Sequence, residues 1–364
     1  MSQNSNNKLI VGISGGVDSS VTAMLLKEQG YEVEALFMKN WNDQSDDGAC
    51  LWETDVEDAM MVCDKLDIPL NTVDLSSDYW DKVFKNFLTE YKNGRTPNPD
   101  VLCNQEIKFK AFLEHAENLG ASQIATGHYA RIHEQNGAFQ LLKGRDQNKD
   151  QSYFLCRLNQ NQLQKALFPI GDLDKPDVRK RAEQAGLITH DKKDSTGICF
   201  IGEQPFRQFL SRYIPPDPGL IKTTDGQTIG EHTGVFYYTL GQRQGLGIGG
   251  VKGATDAPWY VVQKDIAENE LIAAQDHDHP LLHSHNLTAS DINWISGKIP
   301  ETPFHCMAKN RYRQADQECV IEKEENGNVT VSFKFSQRAI TPGQFIVFYK
   351  ENVCLGGGII DSAY

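Results

Sequence analysis

The sequence predicts an α/β N-terminal domain built on a parallel sheet, followed by two small β domains, the last barrel-like. Three observations lead there. Short apolar runs alternate with helical patterns over the first half of the chain. From about residue 205 proline and glycine become frequent and the apolar runs shorten. Towards the C-terminus the pattern turns into strict apolar–polar alternation. A chain of 364 residues has room for two or three domains of roughly 100–200 residues. The changes of texture put their boundaries at 1–205, 206–280 and 281–364.

Lys8–Ile13 (KLIVGI) is a short apolar run and reads as the first strand. After it Val17, Val21, Met24 and Leu25 recur at i, i+4, i+7 and i+8, which is helical spacing. Glu32–Met38 is the next strand, Trp52–Leu66 a helix, Leu70–Leu75 a strand and Tyr79–Tyr91 a helix. Asn104–Leu119 is helical again, and Ser122–Thr126 is a strand. Strands separated by helices form βαβ units and a parallel sheet, whose ligands sit beyond the carboxyl ends of the strands. In the second half Pro205, Pro215, Pro216 and Pro218 cluster. Val235–Leu240, Trp259–Gln263 and Leu271–Ala274 are short strand candidates. In the run from Val329 to Phe335, residues 329, 331, 333 and 335 are apolar and the three between are polar, the period of a half-buried strand. Phe345–Tyr349 and Gly357–Ile360 come after it as strands.

Composition narrows the class. Hydrophobic residues make up 39% and charged residues 23%, enough apolar material for a folded core. There is no run of about 18 apolar residues, so no membrane span is expected. The opening MSQNSNNK has neither a secretory nor a transit pattern. A cytoplasmic, reducing location is therefore expected, with the eight cysteines mostly thiols. A net charge of −13 excludes a protein that grips nucleic acid by bulk electrostatics, though not one with a local basic groove. Residues 281–364 hold 8 Lys/Arg against 9 Asp/Glu, which leaves 28 against 40 for residues 1–280. The acidity therefore lies in the front of the chain.

The strongest local signal is Ser14-Gly15-Gly16-Val17-Asp18-Ser19-Ser20, placed after the first strand and at the start of the first helix. Two glycines let the backbone turn sharply and aim N–H groups at an anion. The helix N-terminus adds its dipole, and the serines add hydroxyls. No GxxxxGK[ST] occurs, so this is not a Walker A loop. Gly245-Leu246-Gly247-Ile248-Gly249-Gly250 matches GxGxxG, but residues 251–258 are poor helix material, and it reads as a glycine loop. The histidines between His277 and His285 surround Pro280 and read as an interdomain loop.

No CxxC occurs, so zinc ribbons and iron–sulfur clusters lack their usual spacing. Cys103 lies in Thr96-Pro97-Asn98-Pro99-Asp100-Val101-Leu102-Cys103-Asn104, just before a helix expected to start near Asn104, where a thiol is more acidic. Asp100 sits three residues away on a proline-stiffened loop, where a carboxylate can move protons. Cys199 lies in Asp194-Ser195-Thr196-Gly197-Ile198-Cys199-Phe200-Ile201-Gly202, a small-residue turn entering an apolar segment.

Taken in order, SGGVDS, NPDVLCN, KDQSYFL (Lys149–Leu155), DSTGICFIG, GQRQGLGIGG (Gly241–Gly250) and RYRQ (Arg311–Gln314) resemble the tRNA-specific 2-thiouridylase family (MnmA/TrmU type) over essentially the whole chain. Those enzymes use a PP-loop, the ATP-pyrophosphatase phosphate loop, on an adenine nucleotide alpha hydrolase-like parallel sheet. The resemblance implies ATP-dependent exchange of the 2-oxygen of a wobble uridine for sulfur in tRNA, with glutamate, glutamine and lysine acceptors expected. It implies ATP bound by Gly12, Ile13, Ser14, Gly15, Gly16, Val17, Asp18, Ser19, Met38 and Gly127, and Mg²⁺ held by Asp18 with the phosphates. It assigns the target base to Asn98, Pro99 and Asp100. It assigns tRNA contacts to His128, Lys149, Asp150, Gln151, Arg311, Tyr312 and Gln344. It makes Cys199 the carrier of a persulfide from a sulfur-relay protein or cysteine desulfurase, Cys103 its partner in a transient disulfide, and Asp100 the acid/base. Whether sulfide is released or the persulfide attacks directly stays open. A monomer is expected. Two other readings remain: a PP-loop synthetase acting on a small molecule, and a non-catalytic thiol–disulfide sensor that binds RNA.

Overall fold

A computed structural model describes residues 8–41, 51–194, 205–251 and 253–364. The first sheet has five strands, β1 (Lys8–Ile13), β2 (Glu32–Lys39), β3 (Leu70–Asp74), β4 (Gln123–Ala125) and the two-residue β7 (Ala166–Leu167). They pair in the order β3-β2-β1-β4-β7, all parallel. Helices α1 (Val17–Glu28), α2 (Leu51–Leu66) and α8 (Lys175–Gln184) share one core with Leu9, Val11 and Ile13 of β1. Ile10 of the same strand joins the opposite core, with Phe109 and Phe112. Alternate side chains of β1 thus feed both layers, which is why its sequence is apolar throughout.

On that second face lie α3 (Ser76–Tyr79), α4 (Lys85–Lys92), α5 (Pro99–Leu102) and α6 (Phe112–Asn118). A π-helical stretch, Cys103–Ala111, joins the last two. The helix expected to begin near Asn104 therefore begins at Pro99. Asn98 is extended (φ −116°, ψ 94°), as a residue before proline prefers, and Pro99 takes the first helical position, where its missing N–H costs nothing. Cys103 consequently sits more than a turn inside the helical segment and is fully buried.

Hairpin β5–β6 (Ala130–Gln135, Ala138–Lys143) leaves the first sheet and joins the C-terminal one, as Leu142 and Leu141 pair with Val353 and Cys354. Short α7 (Gln160–Gln164) precedes β7, and α9 (Phe206–Ser211) opens the middle region. There β8 (Gly219–Lys222), β9 (Thr228–His232), β10 (Trp259–Asp265) and β11 (Glu270–Gln275) form a four-stranded sheet in the order β10-β11-β8-β9. Val235–Leu240, expected as a strand, contains a 3₁₀ turn at Val235–Tyr237 instead. Gly234 (φ 146°) turns the chain out of β9, and the Tyr237 hydroxyl donates to the Ile214 carbonyl, so these rings pack without a ladder partner.

The last domain is a closed barrel of β12 (His283–Trp294), β15 (Asn328–Arg338), β14 (Gln317–Glu325), β13 (Phe304–Lys309), β16 (Phe345–Lys350) and β17 (Val353–Ala363). Pairing of β12 with β17 closes it. Gly356 makes that closure possible. Its φ is +135°, and a Cβ there would stand 1.9 Å from the Asn293 carbonyl oxygen. Gly356→Ala is expected to cost at least about 2 kcal/mol of stability, since both the backbone conformation and the close approach forbid a side chain. Gly249→Ala, in open space, should stay within about 0.5 kcal/mol of wild type. Urea unfolding of the two variants checks the contrast.

Candidate active site

The Ser14–Ser20 loop lies at the carboxyl end of β1 and leads directly into α1. Gly15 has φ +69°, and a Cβ on it would come 2.3 Å from the Asp55 carbonyl oxygen, so the turn and the tight seat against α2 both require glycine. Gly16 is the N-cap of α1 and supplies no side-chain cap. The Ser14 N–H donates to Ser19 Oγ (3.1 Å), while the Ser19 and Ser20 hydroxyls donate to the Gly16 carbonyl (3.1 and 2.8 Å). The loop is thereby braced from inside, and the start of α1 is left for an anion.

Of the predicted nucleotide residues outside the loop, Gly12 and Met38 meet each other and Gly127 meets the loop itself. A Cβ on Gly12 would stand 3.3 Å from Phe112 Cζ and 3.4 Å from Met38 Cε. A Cβ on Gly127 would stand 2.8 Å from the Ser19 amide nitrogen and 2.9 Å from the Asp18 carbonyl carbon, so only glycine lets the end of β4 lie against the loop. Asp18, expected to hold Mg²⁺, is already engaged. Lys175 Nζ is 2.8 Å from each of its carboxylate oxygens, and the Tyr129 hydroxyl donates to Oδ1 at 2.7 Å. Among the described residues no cluster of three His, Cys, Asp or Glu side chains could hold a metal. In this arrangement Asp18 does not fit a Mg²⁺ ligand.

Lys175 also touches Asp194 Oδ1 (2.8 Å). Lys149 reaches Asp194 Oδ2 at 2.6 Å and Arg179 reaches Oδ1 at 2.8 Å. Burial opposes ionisation of Asp194, but the hydrogen bonds from Lys149 and Lys175 outweigh it and hold the carboxyl down to about 2. Two residues further back, Lys192 pairs with Asp55 (2.8 Å) and with Asp58 on α2. Cys199, the expected persulfide carrier, lies outside the described residues.

The loop carrying Asn98, Pro99 and Asp100 is held by the barrel. Gln344 donates from Nε2 to the carbonyls of Thr96 (2.8 Å) and Pro97 (3.3 Å), and the Thr96 N–H donates to the Pro342 carbonyl (2.9 Å). Gly343 (φ +92°) permits this, because a Cβ would stand 2.9 Å from the Thr96 nitrogen. Asn98 Oδ1 and Asn104 Oδ1 are buried and have no hydrogen-bond partner in the protein. Just past β2, Asn40 Oδ1 and Trp41 Nε1 are in the same condition. A buried polar atom left unpaired costs about 1–3 kcal/mol, so such atoms beside Asp100 and Cys103 suit a polar ligand.

The other predicted RNA contacts divide in two. Arg311 is exposed and Lys149 half-buried. Tyr312 packs on Phe154 with ring centroids 4.3 Å apart, which brings the RYRQ and KDQSYFL motifs together. Asp150, in contrast, is buried and accepts from the Gly144 and Ser152 N–H groups (3.0 and 3.1 Å). Gln151 Oε1 accepts from the Tyr129 N–H at 2.9 Å. His128 is buried between the rings of Phe109 and Phe168, with Nδ1 2.7 Å from Thr126 Oγ1. Sequence reasoning missed Lys175, Asn40, Trp41 and Asn104. The first has no motif around it and is identified only by its two carboxylate partners.

The family described as tRNA methyl transferase HUP domain matches residues 7–203. The corresponding PRC-barrel domain matches 207–275, and the aminomethyltransferase beta-barrel domain matches 284–360. The chain is 57% identical to the tRNA-specific 2-thiouridylase MnmA of Tolumonas auensis, covering 100% of this chain and 99% of that one. It is 58% identical to the protein of the same name from Hydrogenovibrio crunogenus, covering 99% and 96%. Among solved structures, the U34-tRNA thiolase NcsA from Methanococcus maripaludis with its 4Fe–4S cluster has 18% identity and a TM-score of 0.36, over 57% of this chain and 64% of that one. A likeness that weak carries nothing about function.

His128 gives a pH test. Burial first, and then the nearby charge of Lys108, push its imidazole well below the ordinary 6.5. The folded state keeps the ring neutral while the unfolded chain takes up a proton. The stabilisation is therefore complete above pH 6.5 and is lost as pH falls below it, by up to about 1.4 kcal/mol per pH unit. Urea midpoints measured at pH 7.5 and 5.5 should fall less in His128→Gln than in wild type; equal falls would contradict a buried neutral ring.

Proposed function

The chain belongs to the tRNA-specific 2-thiouridylase family, and from that premise we propose that it binds ATP and replaces the 2-oxygen of a wobble uridine in tRNA with sulfur. The observation that carries this is an uncapped helix start with Gly127 lying against it, while the barrel reaches back through Gln344 to hold the loop before Asp100.

The obstacle in the reaction is the leaving group, since a carbonyl oxygen on a pyrimidine does not depart unaided. Attack by that oxygen on the α-phosphorus of ATP expels pyrophosphate and turns it into part of a phosphate ester. A sulfur nucleophile then adds at C2, and AMP leaves carrying the old oxygen. The N–H groups at the start of α1 and the hydroxyl of Ser14 are suited to hold the phosphates. The unpaired Oδ1 of Asn98 is suited to accept the imide N–H of the base, Pro99 to shape its pocket and Asp100 to move the proton.

Sulfur arrives as a persulfide on Cys199, given by a sulfur-relay protein or a cysteine desulfurase. Either its terminal sulfur adds to C2 as AMP leaves, and Cys103 then attacks the Cys199 Sγ to break the S–S bond and free the thiouridine, or Cys103 attacks the Cys199 Sγ first and the terminal sulfur departs as sulfide, which adds to C2. Both routes end in a Cys103–Cys199 disulfide that a thiol reductant reopens. Lys149 and Arg311 would meet RNA phosphates and Tyr312 a base or sugar. His128, Asp150, Gln151 and Gln344 would shape that face from beneath. One chain carries every residue named, so a monomer suffices, and a tRNA substrate is in keeping with a cytoplasmic protein. No helix among the described residues is long and apolar enough to cross a membrane. A small-molecule synthetase would leave the barrel's grip on residues 96 and 97 without a task.

The test is mass spectrometry of an unmodified tRNA after incubation with the protein, ATP and a persulfide donor. A nucleoside heavier by one oxygen-to-sulfur exchange is expected at the wobble position, with AMP formed in equal amount. Asp100→Asn should slow it by about 10²–10⁴-fold, and Cys103→Ala should abolish the persulfide-dependent reaction. AMP without thiolated RNA would favour the small-molecule reading.

A further inference from the structure

Asp18 was expected to hold a metal ion and holds a lysine instead. We infer that Lys175 is a positioning residue for the polyphosphate: its ammonium is the protein's own cation at the nucleotide loop and takes the pyrophosphate end of ATP. This rests on the nucleotide site proposed above and adds to it a residue that no motif contains.

Four observations support the assignment. Lys175 is placed by its backbone, because it is the first residue of α8 and its N–H donates to Asp146 Oδ2 at 3.0 Å. Its side chain is only 9% exposed and passes the Tyr129 ring, with Nζ 5.7 Å from the centroid, to reach the first turn of α1. There it meets both oxygens of Asp18 and one of Asp194, all at 2.8 Å. A charge so deeply placed is paired wherever it sits, and all of its described partners here are carboxylates beside an anion-binding helix start.

The fourth observation is that the ammonium can leave. Asp194 keeps Lys149 on one oxygen and Arg179 on the other when Lys175 turns away. Asp18 keeps the Tyr129 hydroxyl and, being part-exposed, contact with solvent. Neither carboxylate is stranded, so exchanging a carboxylate for a phosphate at Lys175 changes partners without leaving a buried charge alone. The phosphates that reach this lysine are those lying at the start of α1. The adenosine end, against Gly12 and Met38, is served by other residues.

The experiment is calorimetric titration of the full-length chain with ATP, AMP and inorganic pyrophosphate, each with and without magnesium chloride. Lys175→Met is expected to weaken ATP and pyrophosphate by about tenfold or more and to leave AMP within about twofold, while Lys175→Arg restores most of the loss. Asp194→Asn, which relieves Lys175 of one competitor, should tighten pyrophosphate. Equal weakening of ATP and AMP in Lys175→Met would mean a merely structural lysine and would overturn the inference, as would unchanged ATP binding. Should Lys175→Met fail to fold by circular dichroism, Asp194→Asn decides: unchanged or weaker pyrophosphate binding overturns it. A wild-type chain that binds none of the three overturns the nucleotide reading itself, and this inference with it.

Discussion

The start of α1 is the constraint on which the rest depends. Gly16 gives the helix no side-chain cap, and the nearby serine hydroxyls turn inward to the Gly16 carbonyl. A row of N–H dipoles therefore faces outward at the carboxyl edge of a parallel sheet, a place suited to an anion. Gly15 and Gly127 secure the position by letting α2 and the end of β4 approach to distances that no side chain would allow.

The second requirement is that something reactive be held near the phosphate, and here the architecture crosses domain lines. The loop before Asp100 is fixed through main-chain and Gln344 hydrogen bonds to a turn of the barrel. Hairpin β5–β6 extends the barrel sheet from the other side. Arg95 strengthens the first contact through Asp361 at 3.3 Å and the Ile360 carbonyl at 3.1 Å. The barrel turn and the loop before Asp100 are thereby tied together, so a ligand that moved one would move the other.

Much of this was legible in the sequence where backbone chemistry leaves little choice. SGGVDS needs its glycines for a turn and a close approach, and both are present. NPDVLCN was legible as a stiffened loop but misplaced by one helical turn, because Pro99 starts the helix rather than preceding it. That moves Cys103 from just before a helix start to more than a turn inside the helical segment, where it is buried. Hairpin β5–β6 escaped notice because a third of its strand residues face solvent and its partner, β17, lies more than 200 residues away. The lysine between Asp18 and Asp194 escaped for the same kind of reason: ion pairs that bring distant segments together leave no period in a sequence. Val235–Leu240 shows the converse error, an apolar run that buries its rings without joining a sheet.

The central claim is that a nucleotide is consumed to turn a carbonyl oxygen into a leaving group. It is tested most directly by preparing tRNA whose wobble uridine carries heavy oxygen at position 2, allowing one round of thiolation, and weighing the AMP. The account predicts that the label appears in the phosphate of AMP, one heavy oxygen for each sulfur installed. Thiolated RNA formed while the label goes to water or pyrophosphate would contradict it.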